Sequence, residues 1–166
     1  MHNHTRRNAI KALLGLAVLA SLGGCGFQLR GQALLPFTAA YVVASDTSSV
    51  ANALRRSLSS QKKLAQSPDT APVRITLDKE SYSKNILALS GGGKVREYRL
   101  EYRVQLTVTN VAGVILVEPT EIHLSNDFSY TDAQVLAKEA EEASLNRSME
   151  QDALRQILRR LSYLKV

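Results

Sequence analysis

The sequence predicts an α+β fold: a two-layer sandwich with two helices packed on one face of a four-stranded, largely antiparallel sheet, in the order β-α-β-β-β-α. Three observations lead there. Tyr98, Leu100, Tyr102, Val104, Leu106 and Val108 alternate with Arg99, Glu101, Arg103, Gln105, Thr107 and Thr109, the two-residue period of a strand with one dry face and one wet face. Val50, Leu54 and Leu58 recur every four residues, and so do Leu145, Met149, Ala153, Ile157 and Leu161, each series forming the stripe of a helix that is apolar on one side. Helices and a sheet that are each apolar on one side bury one another as two layers.

Taken in order, Tyr41-Val42-Val43-Ala44 is a β-branched run after Pro36 and predicts the first strand. Asp46-Thr47-Ser48-Ser49 supplies N-cap oxygens, so the first helix begins there, with its end expected near Ala65. Ser67-Pro68-Asp69-Thr70-Ala71-Pro72 breaks it and leads to Val73, Ile75 and Leu77, the start of a second strand expected to reach Leu89. Ser90-Gly91-Gly92-Gly93 reads as a mobile hairpin tip before the long third strand, and Asn110-Val111-Ala112-Gly113 as the next turn. Val114, Leu116, Thr120, Ile122, Leu124, Phe128 and Tyr130 then keep an even-numbered alternation, with Pro119 admitted only at an edge or a bulge. The second, third and fourth strands are expected to form an antiparallel meander. Thr131-Asp132-Ala133-Gln134 has the spacing of a capping box and opens the last helix. Glu139, Glu141 and Glu142 lie early in it and Arg155, Arg159, Arg160 and Lys165 late, an order that complements the helix dipole. Leu154 and Leu158 broaden its stripe.

The N-terminus is built differently. Arg6, Arg7 and Lys11 precede the uncharged run Ala12 to Leu22, and small residues lead to Cys25, the only cysteine. These are the three parts of a secretory signal. A transmembrane helix needs ~20 apolar residues, and this run meets Gly23, Gly24 and Gly26 first. The expected boundaries are a signal peptide over residues 1–24 and a single mature domain over residues 25–166. The mature 142 residues (166 − 24) suit one domain burying ~68% of its unfolded surface. Three of the 21 basic residues leave with the signal and none of the 15 acids does, so the mature balance is (21 − 3) − 15 = +3. That balance requires no nucleic-acid partner. Tryptophan is absent, which argues against a base- or sugar-stacking platform.

The residues offer little chemistry. Beyond the signal the only histidine is His123, beside Glu121 and Ser125 on the wet face of the fourth strand. An esterase-like arrangement of Ser125 and His123 is the remote reading, and a solvated polar face is the better one. No Cys/His cluster has metal-ligand spacing. Gly91-Gly92-Gly93 precedes a strand, whereas a phosphate-binding loop opens a helix. No catalytic residue, metal site or cofactor is expected.

Three resemblances go further. Leu22-Gly23-Gly24-Cys25 resembles the lipobox of bacterial lipoproteins, which implies that Cys25 receives a diacylglycerol, becomes the N-terminus and is acylated there, a firm anchor of three chains. Gly26 stands where inner-membrane lipoproteins resemble one another in an Asp, so delivery to the outer membrane is implied. Thr5-Arg6-Arg7-Asn8-Ala9-Ile10-Lys11 resembles a twin-arginine export signal with Ala9 out of pattern, and the general secretory route is preferred.

Cys25-Gly26-Phe27-Gln28-Leu29-Arg30-Gly31, Glu97-Tyr98-Arg99-Leu100 and Ala137-Lys138-Glu139 together resemble the LptE family of lipopolysaccharide-assembly lipoproteins. Gln28 stands where that family is expected to have His. The resemblance implies a non-enzymatic partner of the outer-membrane barrel, LptD-like, that inserts lipopolysaccharide into the outer leaflet, with this domain as a plug in the barrel lumen. It also implies contacts with lipopolysaccharide phosphates. The Ala-Lys match carries Lys138 to that role, and Lys94 and Arg96 join it by their place near the glycine tip. The alternative from another class is a periplasm-facing lipoprotein that binds or scaffolds a different ligand without a barrel.

Overall fold

The computed structural model describes residues 34–131 and 134–165, so the signal segment and Cys25 lie outside the described residues. Within them the chain runs β1 (Ala40–Val43), α1 (Ser49–Ser60), a 3-10 turn (Pro68–Thr70), β2 (Val73–Leu89), β3 (Val95–Asn110), β4 (Ile115–Ser129) and α2 (Val135–Ser162). The four strands form one sheet in the order β1-β2-β3-β4. β1 joins β2 in parallel, Ala40 against Val73, and the other two pairings are antiparallel. This is the α+β order that the periodicities predict.

The core lies between the sheet and the two helices. Leu100, Tyr102, Val104, Leu106 and Val108 of β3 are buried, as the even-numbered alternation requires, and they share one cluster with Val50, Leu54 and Leu58 of α1 and Met149, Ala153, Ile157 and Leu161 of α2. Each fully buried large side chain of this set contributes about 1.5–3 kcal/mol relative to exposure. Leu145, Leu154 and Leu158 pack at the margin of the cluster.

Four local features depart from the sequence expectations. The first is the end of α1, which stops at Ser60 and not near Ala65. Lys62 takes φ 57° there, its N–H bonds Ser59 O at 2.9 Å, and Lys63 N–H bonds Leu58 O at 2.8 Å. That is the Schellman closure, with lysine in the left-handed position usually held by glycine. The second is a bulge in β2: Asp78 faces Gln105 but Ser81 faces Arg103, with Lys79 at φ 51°. One extra residue reverses the parity of the strand. Val73, Ile75 and Leu77 point into the core before it, and Tyr82 and Lys84 lie opposite Tyr102 and Leu100 after it.

The third departure is the start of α2. Its N-cap is Gln134, which makes no side-chain cap bond, and its first turn holds no acid. The expected capping box at Thr131 is therefore not the start of the helix, and Glu139 to Glu142 lie beyond the turn where the dipole acts. Arg159 and Arg160 do occupy the last turn. The fourth is β4, where the even-numbered pattern holds for Ile122 and Phe128 but fails before Pro119. Leu106 faces Thr120 and Val108 faces Val117, so Glu118 and Pro119 stand together against Thr107. A second shift follows, with Thr109 facing Ile115, and Val114 and Ile115 are exposed. Among the described residues no helix is long and apolar enough to cross a membrane.

Candidate functional site

Away from the core, the polar side chains fall into three groups. The first is the outer face of the sheet, built from the odd-numbered residues of β3 and β4. Arg99 donates through Nε and Nη2 to the two carboxylate oxygens of Asp127 at 2.8 and 2.9 Å. The bonds from Arg99, with its charge, hold the Asp127 carboxyl below its ordinary range against a smaller opposing effect of desolvation. Glu101 accepts from Ser83 Oγ and Arg103 Nη2, and His123 Nε2 lies 3.4 Å from its other oxygen. Desolvation works to raise the Glu101 pKa, but Arg103, Ser83 and His123 together hold it low. Arg103 also approaches Glu121 at 3.7 Å. Arginine and carboxylate thus answer each other across the face. No hydrogen bond among the described residues joins Ser125 to His123, and no group of three or more His, Cys, Asp or Glu among them could hold a metal.

The second group lies on the helix side of the sheet. Tyr102 Oη donates to Glu80 Oε1 at 2.8 Å, and Tyr82 Oη donates to Glu150 Oε1 at 2.8 Å with Ser49 Oγ 3.3 Å away. Desolvation, followed by the Glu80 carboxylate, pushes the Tyr102 hydroxyl well up. Desolvation also raises Tyr82, where the Ser49 bond opposes and Glu150 reinforces it. The rings themselves sit 4.9 Å apart.

The third group gathers at the end of the sheet where β2 turns into β3. Because the bulge at Lys79 reversed the strand, Lys84 points to the helix side and meets aromatic faces: its Nζ is 4.3 Å from the Tyr98 ring centre, 5.5 Å from Phe128 and 5.9 Å from Tyr130. Glu142 of α2 completes the enclosure at 2.6 Å. The predicted cations stand at this same end. Lys94 closes the hairpin, its carbonyl accepting from Ser90 N–H at 2.7 Å and its N–H bonding Ser90 Oγ at 3.1 Å. Arg96 is exposed, and its carbonyl accepts from Tyr130 N–H at 2.7 Å. Lys138 is different: its side chain is only 13% exposed, and Nζ bonds Glu141 Oε2 at 2.8 Å and Ser129 Oγ at 3.2 Å. The sequence order pairs Lys138 with Glu142, but Glu142 is taken by Lys84. Lys84 and its rings were invisible in the sequence, since the bulge that turns Lys84 inward carries lysine and no glycine. The signal was there only in the aromatics, as Tyr98, Tyr102, Phe128 and Tyr130 share one parity.

Fold and side chains define a two-layer α+β module whose exposed features are a self-neutralising charged face and a cation-and-aromatic end. The chain matches the family model described as LptE, lipopolysaccharide-assembly, over residues 34–161, and it belongs to that family. It is 29% identical over 160 residues to the LPS-assembly lipoprotein LptE of Photorhabdus laumondii, covering 94% of this chain and 86% of that one. With the Yersinia pestis protein of the same name the identity is 30% over 164 residues, covering 94% and 76%. Among solved structures, an uncharacterized lipoprotein B from Nitrosomonas europaea superposes with a TM-score of 0.71 at 36% identity, covering 82% of this chain and 90% of that one. The rare lipoprotein B of Shewanella oneidensis shares the fold, with a TM-score of 0.62 at 24% identity over 72% of this chain and 90% of that one.

Proposed function

We propose that this chain is an outer-membrane lipoprotein, anchored through Cys25 after removal of residues 1–24, whose domain assembles with and plugs the barrel that inserts lipopolysaccharide. The observation that carries the reading is the family match across the folded domain, with relatives named as lipopolysaccharide-assembly lipoproteins. The outer sheet face supports it physically. The lumen of an outer-membrane barrel is polar, and a face on which Arg99 and Arg103 are already matched by carboxylates can meet a polar wall without leaving those charges buried and unpaired. No step of this role requires catalysis by the domain.

Lys94, Arg96 and Lys138 are proposed as phosphate contacts for lipopolysaccharide. Lys94 and Arg96 are exposed, and Lys138 must exchange Glu141 and Ser129 for the ligand. Pull-down of the native lipoprotein from detergent-extracted outer membranes tests the plug: stable co-migration with a large barrel supports it, and migration of the lipoprotein alone overturns it. Binding of purified lipopolysaccharide across a salt series tests the cations, because phosphate contacts weaken as salt screens them. If Lys94→Asp, Arg96→Asp and Lys138→Asp together leave affinity and salt slope unchanged, these residues are not a ligand site.

A further inference from the structure

We infer that the end of the domain opposite the glycine hairpin is a membrane-seating surface, which rests on an anionic phospholipid headgroup layer beside the lipid anchor. Three independent observations meet there. First, the folded chain starts at that end: β1 begins at Ala40 beside Val73, Val73 faces Asn110, and Lys63 Nζ holds the carbonyls of Leu35 and Phe37 at 2.8 and 2.5 Å. Leu34 is nine residues after Cys25, and nine extended residues reach no further than about 30 Å.

Second, the surface is apolar where a globular end is normally polar. The turn between β3 and β4 exposes Val111, Val114 and Ile115, and Tyr163 at the end of α2 is 78% exposed. Ile115 and Tyr163 line one shallow cleft of ≈ 540 Å³. An exposed apolar patch marks a contact surface, and a tyrosine at its rim suits the headgroup level, where an apolar ring and a polar hydroxyl are both satisfied.

Third, the charge is complementary. The same cleft is lined by Arg160 and Lys165 and by no acid, and on the far side of Arg160 a second cleft of ≈ 410 Å³ adds Arg159, with Arg155 there already paired with Asp152. Cations close to an anionic leaflet are attracted individually and additively. The hairpin end also exposes apolar side chains and cations, Leu89, Leu136, Lys94 and Arg96 among them, but the folded chain does not enter there. Apolar residues, cations and the point of chain entry coincide only at the other end.

The inference rests on lipidation of Cys25, and the experiment reports that premise separately. Since the chain has no tryptophan, Tyr163→Trp and Leu136→Trp each give a single tryptophan, one per end, whose emission is separable from that of tyrosine. Each mature lipoprotein is reconstituted into phosphatidylglycerol vesicles and into phosphatidylcholine vesicles, flotation is scored, and emission is recorded. Expected is flotation in both lipids, with emission from position 163 moved to shorter wavelength in phosphatidylglycerol and emission from position 136 remaining water-like. Arg159→Gln, Arg160→Gln and Lys165→Gln together should remove the shift at 163, as should 1 M salt, where the screening length is ~3 Å. Water-like emission from 163 in phosphatidylglycerol overturns the inference, as do equal shifts at both ends. A shift at 163 that needs a co-purified barrel also overturns it and gives this surface to a protein wall. A chain that does not float removes the lipidation premise itself.

Discussion

Deleting the charge of Lys84 while keeping its stem, as Lys84→Met, isolates what holds the far end of the β2–β3 hairpin to α2. Two interactions are lost together. The ion pair with Glu142 is short, 2.6 Å, but the side chains are 36% and 26% exposed, so solvent screening limits it to about 0.5–1 kcal/mol. The cation over the Tyr98 ring at 4.3 Å adds about 0.5–1 kcal/mol at a partly exposed site. The expected cost is therefore ~1–2 kcal/mol, read as a lower urea midpoint at unchanged slope. A double-mutant cycle with Glu142→Gln should return a coupling of ~0.5–1 kcal/mol, reduced by salt, and a second cycle with Tyr98→Leu should return the ring share without the salt response. Couplings below ~0.2 kcal/mol in both cycles would refute the enclosure as a clamp and leave the hairpin held by backbone pairing alone.

Leu106→Ala or Ile157→Ala should cost about 2–5 kcal/mol, because both side chains are fully buried in the shared core. Thr107→Ala, on the wet face, should stay within ~0.5 kcal/mol by the same denaturant measurement. The Arg99–Asp127 pair sets an acid limit: the folded carboxyl sits below its ordinary value, so its stabilisation is complete above about pH 4, the unfolded value, and is lost as pH falls through the folded one. Asp127→Asn should flatten that acid limb in pH-dependent unfolding, and a loss confined to pH 5–7 would show the linkage to be wrong. Intact mass of the purified lipoprotein should equal residues 25–166 plus acyl groups. A chain of unmodified mass, or one retaining residues 1–24, excludes the anchor.

The parts of the fold legible in the sequence are those governed by period. The alternation of β3 and the stripe of α2 needed no other information, because burial on one side leaves a trace at every second or every fourth residue. What was hidden depends on single backbone angles. Lys62 and Lys79 occupy left-handed conformations that glycine would have advertised, so the end of α1 and the reversal in β2 left no mark in composition. The candidate site suffered accordingly. Lys94, Arg96 and Lys138 were found by position and resemblance and do share one end of the sheet, yet the partial burial of Lys138 against Ser129 and the aromatic enclosure of Lys84 follow from register. Register is a tertiary quantity, set by which residues face each other across the sheet.

β4 has a strand neighbour on the β3 side only, and fifteen residues of extended edge are a standing invitation to pair with a second molecule. Pro119 answers that hazard from inside the strand. It brings no N–H to an incoming backbone, and the doubled position it shares with Glu118 puts the residues on either side of it out of step. A copy of the chain that matched one half of the edge would therefore mispair with the other half. Sheet growth from molecule to molecule is interrupted before it can start, by a residue that contributes nothing to the core.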